Sequence, residues 1–166
     1  MQSRMNNPAL ILPDATQPIQ ALLAVIYRSG VPRKTLGLVH LRASQINGCA
    51  ACVDDGARRM KKEGETDERL AGVAVWREMP YFDDPERAAL SLTEAMTRMS
   101  DSSDPVPDAV WAEAVRHFDE RAVAGLILMV AITNLFNRIN VTTRQVPGPV
   151  PSWEARKPES EAAHAG

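Results

Sequence analysis

The chain has 166 residues, 45% of them hydrophobic and 24% charged, and its 19 basic and 21 acidic side chains leave a formal net charge of -2. This length suits one domain with a substantial buried core. The small net charge offers no electrostatic reason to bind nucleic acid or an anionic membrane. Aromatic residues are only 5% of the chain, which argues against a base-stacking surface.

The first residues, MQSRMNNPALILP, lack the long apolar segment of a signal peptide, because Pro13 ends a short apolar run. The longest apolar run, Ala122 to Ile132, is too short to cross a membrane. A close cysteine pair without an export signal is typical of a protein in a reducing compartment, where thiols cycle between redox states. We therefore expect a soluble, cytoplasmic protein without a membrane partner.

In chain order, the apolar spacing and the turn signals predict an all-α fold of about seven helices, with no run that alternates as a strand would. Residues 1–15 are predicted to form an irregular arm, broken by prolines, before a helical domain over residues 16–144. The predicted helices begin at Thr16, which we expect to act as a cap, and then at Pro32, Cys49, Thr66, Asp84, Pro107 and Asp119.

The last predicted helix is the longest, and its centre, Leu126 to Ile132, is apolar on every side. Such a helix is expected to be buried all round, either centrally or partly within a subunit interface. Trp76, Tyr81 and Phe82 are predicted to be core residues rather than a substrate box. The proline-rich residues 145–166 are predicted to be an extended or disordered tail.

The only two cysteines, Cys49 and Cys52, form a C-x-x-C pair at the predicted start of a helix. This spacing allows a disulfide with little backbone movement. Unpaired amide groups at a helix start also stabilise a thiolate. A thiolate can attack a peroxide to give a sulfenic acid, which the second thiol converts to a disulfide. Disulfide exchange with another thiol is the other obvious reaction.

Two other interpretations of the pair remain open. A structural zinc ion needs four ligands, and beyond the cysteines the chain offers only His40, His117 and His164, without zinc-like spacing. We therefore expect no metal. The cysteines could also be two small buried apolar residues without a chemical role.

The string Ser44-Gln45-Ile46-Asn47-Gly48-Cys49-Ala50-Ala51-Cys52 resembles the alkylhydroperoxidase D-like (AhpD-like) branch of the carboxymuconolactone decarboxylase family. The similarity covers roughly residues 16–144. It extends through VHLRA before the motif, GETDERL, WRE, PYF and ERAAL after it, and NLFNRIN at 134–140.

The resemblance implies an all-helical fold assembled as trimers or hexamers. The activity it implies is thiol-dependent reduction of a small hydroperoxide at the expense of a thiol reductant, without haem, metal or another cofactor. It also implies that Cys52 attacks the peroxide and Cys49 resolves the product. Reasoning from the helix terminus alone would slightly favour Cys49 as the attacking thiol.

The chain departs from the family pattern at the groups that activate the thiol. Active relatives carry a glutamate where this chain has Gly37 and a histidine where it has Gly56, and these two groups form a proton relay. A position that is sometimes histidine is Ala51. His40, on roughly the same helix face as Gly37, is a chemically sensible substitute base. The more ordinary interpretation, which we favour for His40, is a half-exposed histidine on a helix flank.

Polar residues also interrupt the last helix. Asn134, Asn137, Arg138 and Asn140 can line either a pocket or an interface, and we favour packing at an interface. For function, we expect a peroxidase that is weakened by the loss of the relay, with Cys52, Cys49 and His40 as its catalytic residues. The alternative is a non-catalytic member of the family that acts in binding or assembly. Decarboxylase or lactone chemistry is disfavoured by the thiol pair.

Overall fold

The computed structural model describes residues 2–148, which form eight α-helices and, within that range, no β-strand. The predicted all-α fold is confirmed. Two short 3-10 turns lie at Val73–Val75 and Met99–Asp101. The helices are α1 Pro8–Ile11, α2 Pro13–Ile26, α3 Arg33–Ile46, α4 Ala50–Lys62, α5 Asp67–Gly72, α6 Asp84–Thr97, α7 Asp108–His117 and α8 Glu120–Thr143.

Most helices start where their capping residues predict. Side chains of Thr66, Asp83 and Asp119 accept hydrogen bonds from the first turns of α5, α6 and α8. Asp83 forms a reciprocal capping box with Glu86. After α4 the chain turns at Gly64, whose φ of 84° favours glycine.

The N-terminal segment differs from the prediction, because its prolines begin helices instead of breaking them. Asn7 caps α1 and Pro8 occupies its first position, while Pro13 starts α2. Proline fits there because the first amides of a helix have no partner within the helix. Thr16 is therefore inside α2 rather than its cap, and its hydroxyl donates to the carbonyl of Ala9 at 2.5 Å.

Helix α3 lies between two hydrophobic clusters. One face, including Leu36 and Val39, packs in the cluster formed with α2, α6, α7 and α8. The opposite face, with Leu38 and Leu41, packs against a smaller cluster that also contains Met60, Leu70, Val73, Trp76, Phe82 and Leu90. Trp76 and Phe82 are core residues as predicted. The same prediction for Tyr81 was wrong, since the turn before Phe82 leaves its side chain 44% exposed.

Helix α8 packs along α3 with one face only. Its inward face includes Leu126, Met129, Val130 and Thr133. Leu128 and Leu135 on the opposite face are 37% and 43% exposed, so the prediction of burial all round was wrong for the single chain. By length and composition α8 could cross a membrane, but half of its most apolar stretch is buried within the described fold, as in a core helix.

Candidate active site

A disulfide joins Cys49 and Cys52 at the head of α4, with the two Cα atoms 5.3 Å apart. Cys49 is the N-cap of this helix, and its Sγ accepts a hydrogen bond from the backbone N–H of Cys52 at 3.3 Å. Both residues are buried, with exposed fractions of 1% and 4%. The sequence prediction that the pair can close a disulfide at a helix start is therefore confirmed.

The turn that leads into the disulfide is tied to α8 by asparagine side chains. The amide nitrogen of Asn47 donates to the side-chain oxygens of Asn134 at 3.0 Å and Asn137 at 2.8 Å. Asn137 in turn donates to the hydroxyl of Ser44 at 3.0 Å. The backbone N–H of Cys49 donates to the carbonyl of Ser44 at 3.0 Å, which closes the turn. These bonds hold Cys49 in place.

Asn140, near the end of α8, contacts the second sulfur. Its side-chain nitrogen donates to Cys52 Sγ at 3.3 Å, while its oxygen accepts from the side-chain nitrogen of Asn7 at 3.2 Å. The interface role favoured from sequence was therefore wrong for Asn137 and Asn140, which face the site. Their spacing with Asn134, three residues apart along one helix face, is the signal that could have shown this.

The two ends of the described chain meet beside the disulfide. The backbone N–H of Arg4 donates to the carbonyl of Thr143 at 2.8 Å, and the Gln145 side chain donates to the carbonyl of Met5 at 2.9 Å. The backbone N–H of Gly148 donates to Asp54 on α4 at 2.9 Å. Residues 145–148 form no helix, and residues 149–166, where the rest of the predicted tail falls, lie outside the described range.

His40 reaches α4 from α3. Its Nε2 lies 3.3 Å from the carbonyl oxygen of Cys52 and 3.4 Å from the guanidinium of Arg59, and its Nδ1 lies 3.3 Å from the hydroxyl of Thr133. One tautomer donates to Cys52, and the other donates to Thr133 and accepts from Arg59. Burial, and next the charge of Arg59, lower the pKa of His40 from 6.5 to about 4, so the imidazole is neutral at pH 7.

Side chains from elsewhere in the chain fill the space beside Gly56 and Gly37. A Cβ atom on Gly56 would lie 2.8 Å from Cδ2 of His40. A Cβ atom on Gly37 would lie 3.0 Å from Cγ and 3.1 Å from Sδ of Met60. The two glycines thus make room for the imidazole and the thioether. The volumes in which a glutamate at 37 and a histidine at 56 would begin are already occupied.

The carboxylates that follow the motif have basic partners on the same helix. Asp54 pairs with Arg58, and Asp55 pairs with Arg59 at 3.1 Å. His117 pairs with Glu113 on α7 at 3.0 Å. Within residues 2–148 no three histidine, cysteine, aspartate or glutamate side chains are grouped as metal ligands. His164 lies outside those residues.

An all-helical fold with a buried C-x-x-C disulfide at the head of a helix defines this chain as AhpD-like in architecture. The sequence profile of the carboxymuconolactone decarboxylase family matches residues 13–95, and the chain belongs to this family.

Two curated relatives are similar in sequence. The uncharacterised protein YdfG of Bacillus subtilis (strain 168) is 32% identical over 131 residues, which cover 79% of this chain and 88% of YdfG. The uncharacterised protein YnjA of Escherichia coli (strain K12) is 33% identical over 113 residues, which cover 68% of this chain and 60% of YnjA.

Several solved structures share the fold. A protein of unknown function from Agrobacterium tumefaciens, provisionally assigned as the antioxidant defence protein AhpD, superposes with a TM-score of 0.81 at 30% identity, over 89% of this chain and 99% of that one. The debrominase Bmp8 superposes with a TM-score of 0.74 at 18% identity, over 84% of this chain and 74% of Bmp8. The second likeness concerns the fold alone.

Proposed function

We propose that this protein is a thiol-dependent hydroperoxide reductase that works through Cys52 and Cys49. The observation that carries the proposal is the disulfide at the head of α4, held against α8 in the fold of this family. The provisional assignment of the Agrobacterium tumefaciens protein as an antioxidant defence protein supports the same reaction. Because the fold also serves the debrominase Bmp8, the fold by itself does not select the reaction.

The proposed cycle starts from the dithiol. The Cys52 thiolate attacks the terminal oxygen of a hydroperoxide, the O–O bond breaks, and the departing alkoxide takes a proton to leave as an alcohol. Cys49 then attacks the sulfur of the Cys52 sulfenic acid, which forms the disulfide and releases water. Two equivalents of an external thiol reduce the disulfide and restore both thiols.

The activity is expected to be weak, because the relay of active relatives is missing. His40 remains the group we propose as a substitute base. It is neutral at pH 7 and so can accept a proton, although a pKa of about 4 makes it a weak base. In the oxidised state His40 contacts the carbonyl of Cys52. To accept a proton from the Cys52 thiol, His40 would need a bridging water molecule or a small movement.

The second candidate is a non-catalytic role in binding or assembly. The positions of Met60 and His40 beside Gly37 and Gly56 favour it, since these side chains lie where side chains on residues 37 and 56 would begin. The intact cysteine pair favours the first candidate.

The proposal includes the setting of the reaction. In the cytoplasm, a thiol reductant would reduce the disulfide back to the two thiols. Copies of this chain would assemble as a trimer or hexamer. The exposed apolar face of α8, defined here as Ala124, Leu128, Ala131 and Leu135, is the surface we assign to that assembly.

The decisive experiment measures consumption of hydrogen peroxide and an organic hydroperoxide with dithiothreitol as reductant. In Cys52→Ser, turnover is expected to fall to the uncatalysed rate. In Cys49→Ser, reduced first and assayed after the dithiothreitol has been removed, one equivalent of peroxide per chain is expected to react, because the sulfenic acid forms but no disulfide follows. Equal turnover by wild type and Cys52→Ser would exclude Cys52 as the attacking thiol. Reduction of the wild-type disulfide by dithiothreitol without any consumption of peroxide would support the non-catalytic alternative.

A further inference from the structure

We propose that Asn140 is a further catalytic residue of this site, which donates to Cys52 Sγ and stabilises the thiolate formed when the disulfide is reduced, and that Asn7 is the residue that positions it. The inference rests on the role proposed above for Cys52. It adds two residues that are far apart in sequence and that the C-x-x-C motif does not include.

The contact has the geometry of a hydrogen bond to sulfur. The side-chain nitrogen of Asn140 lies 3.3 Å from Cys52 Sγ in a partly buried environment. A hydrogen bond to an ionised acceptor is stronger than one to a neutral acceptor, so this donor favours the thiolate over the thiol. Because the donor is a neutral amide, its effect does not require a titrating partner.

A backbone group determines which end of the Asn140 amide faces the sulfur. The backbone N–H of Ala9 can only donate, and it donates to the side-chain oxygen of Asn7 at 3.0 Å. The nitrogen of Asn7 must then face outward, where it donates to the oxygen of Asn140 at 3.2 Å. That leaves the nitrogen of Asn140 towards Cys52, so neither amide can flip without losing hydrogen bonds.

Each sulfur therefore has its own donor in this structure. Cys49 Sγ accepts from a backbone N–H, and Cys52 Sγ accepts from Asn140. The ionisable groups nearest Cys52 have other partners.

The titratable and charged side chains around Cys52 contact groups other than its sulfur. His40 from α3 contacts the carbonyl of Cys52, and Asp54 and Asp55 on α4 pair with Arg58 and Arg59. Arg4, from the N-terminal segment, donates to the carbonyl of Thr142 on α8 at 3.0 Å. Asn140 is thus positioned to supply part of the thiolate stabilisation that the missing relay would supply.

The test reads the Cys52 thiol directly. In a Cys49→Ser background Cys52 is the only thiol, since the chain has two cysteines. The rate of alkylation by iodoacetamide is measured as a function of pH. Asn140→Ala is expected to move the midpoint to higher pH and to lower the rate at pH 7 by about tenfold, as expected for one lost hydrogen bond to a charged group. Asn140→Asp is expected to have a larger effect, because a carboxylate replaces the donor.

Asn7→Asp tests the positioning role separately. The aspartate retains the oxygen that caps Ala9 but cannot donate to Asn140, so the midpoint is expected to move in the same direction. Asn6→Asp is the matched control, since it places the same charge on the exposed neighbouring residue and should leave the midpoint nearly unchanged. A purely structural role for Asn140 would alter the alkylation rate at every pH without moving the midpoint.

The outcomes separate the two proposals. Unchanged midpoints in Asn140→Asp and Asn7→Asp, with wild-type circular dichroism, would overturn the role of Asn140 even if the wild type consumes peroxide. Shifted midpoints in a protein that consumes no peroxide would support the thiolate contact and refute the proposed reaction. If Asn140 variants do not fold, Asn7→Asp alone decides, because its capping oxygen remains.

Discussion

His40 and Gly56 occupy one volume between α3 and α4. The imidazole lies where a side chain on residue 56 would begin, and a Cβ atom there would be 2.8 Å from its Cδ2. Glycine in the middle of a helix costs about 1 kcal/mol relative to alanine, so the sequence alone gives no stability reason for Gly56. The contact with His40 supplies that reason, and Met60 does the same for Gly37 at a distance of 3.0 Å.

Restoring the histidine at position 56 should therefore destabilise the protein. We expect Gly56→His to lower the free energy of unfolding by about 1–3 kcal/mol, because the new ring overpacks against His40. The double variant Gly56→His with His40→Ala should regain most of the free energy of unfolding that Gly56→His loses, because the imidazole of His40 no longer occupies the space. Urea denaturation of the four members of this double-mutant cycle measures the coupling.

The same volume limits attempts to restore activity. Gly37→Glu with Gly56→His should gain peroxidase activity only when His40→Ala and Met60→Ala are also present. Additive effects of Gly56→His and His40→Ala on stability would contradict the shared volume.

The desolvated imidazole of His40 also makes stability depend on pH. The folded-state pKa of His40 is about 4 and its ordinary value is 6.5, so on acidification the unfolded chain takes up the proton first. The stability due to neutral His40 is present above pH 6.5 and is lost as the pH falls towards 4. Between pH 7.5 and 5 this group should lower the free energy of unfolding by about 2 kcal/mol.

Chemical denaturation at both pH values measures this loss, and His40→Gln should remove it. His117→Gln is the matched control, because that imidazole pairs with Glu113 on α7 instead of packing between α3 and α4. An equal pH dependence in wild type and His40→Gln would contradict the assignment to His40.

At the scale of the elements, the head of α4 depends on α8. Asn137 is buried and accepts from Asn47 while donating to Ser44, so it joins the turn before the disulfide to the core. Asn134 makes only one of these contacts and is half-buried. Since a buried polar group without a partner is costly, the two asparagines should differ in their effect on stability.

Asn137→Ala is expected to lower the free energy of unfolding by about 2–4 kcal/mol, because it removes a buried side chain and leaves the buried hydroxyl of Ser44 without its donor. Asn134→Ala should cost about 1 kcal/mol, since Asn47 retains its bond to Asn137. Thermal and urea denaturation measure both. Equal losses in the free energy of unfolding for the two variants would contradict the larger stabilising role assigned to Asn137. Asn137→Ala should also speed reduction of the disulfide by dithiothreitol, because the turn loosens.

For the whole molecule, the exposed apolar face of α8 is the surface assigned above to the proposed assembly. Ala124, Leu128, Ala131 and Leu135 follow the spacing of a helix-packing seam and face outward. An apolar groove of about 410 Å³, lined in part by Trp111, Val115 and Ile127, adjoins this face. Together they form an apolar surface typical of a contact between subunits.

If the chain assembles through this face as proposed, charged residues there should separate the subunits. We expect Leu128→Glu with Leu135→Glu to reduce the molar mass measured by size-exclusion chromatography with light scattering from that of an oligomer to about 18 kDa, the mass of one chain. Met99→Glu is the control, because Met99 is more exposed, at 56%, but lies in a 3-10 turn away from α8. The same mass for both variants would contradict an interface on α8.

Much of the architecture could be predicted from local patterns. Sequence signals marked the starts of α5, α6 and α8, because helix capping depends on nearby residues. The N-terminal prediction was wrong because a proline can either break or start a helix. Which of the two it does at Pro8 and Pro13 depends on the position at which the surrounding chain becomes helical.

The sequence by itself determined the helical class and the cysteine pair, since each follows from residue type and spacing along the chain. The resemblance to the family implied that Gly37 and Gly56 replace the usual relay residues. Only the tertiary structure decided what stands beside the pair. The contacts of Asn140 and Asn7 with each other and with Cys52 join residues far apart in the chain. The filling of the space at Gly56 by His40 likewise depends on how α3 packs against α4. Local spacing contains no information on such distances, which arise when the helices bury their apolar faces together.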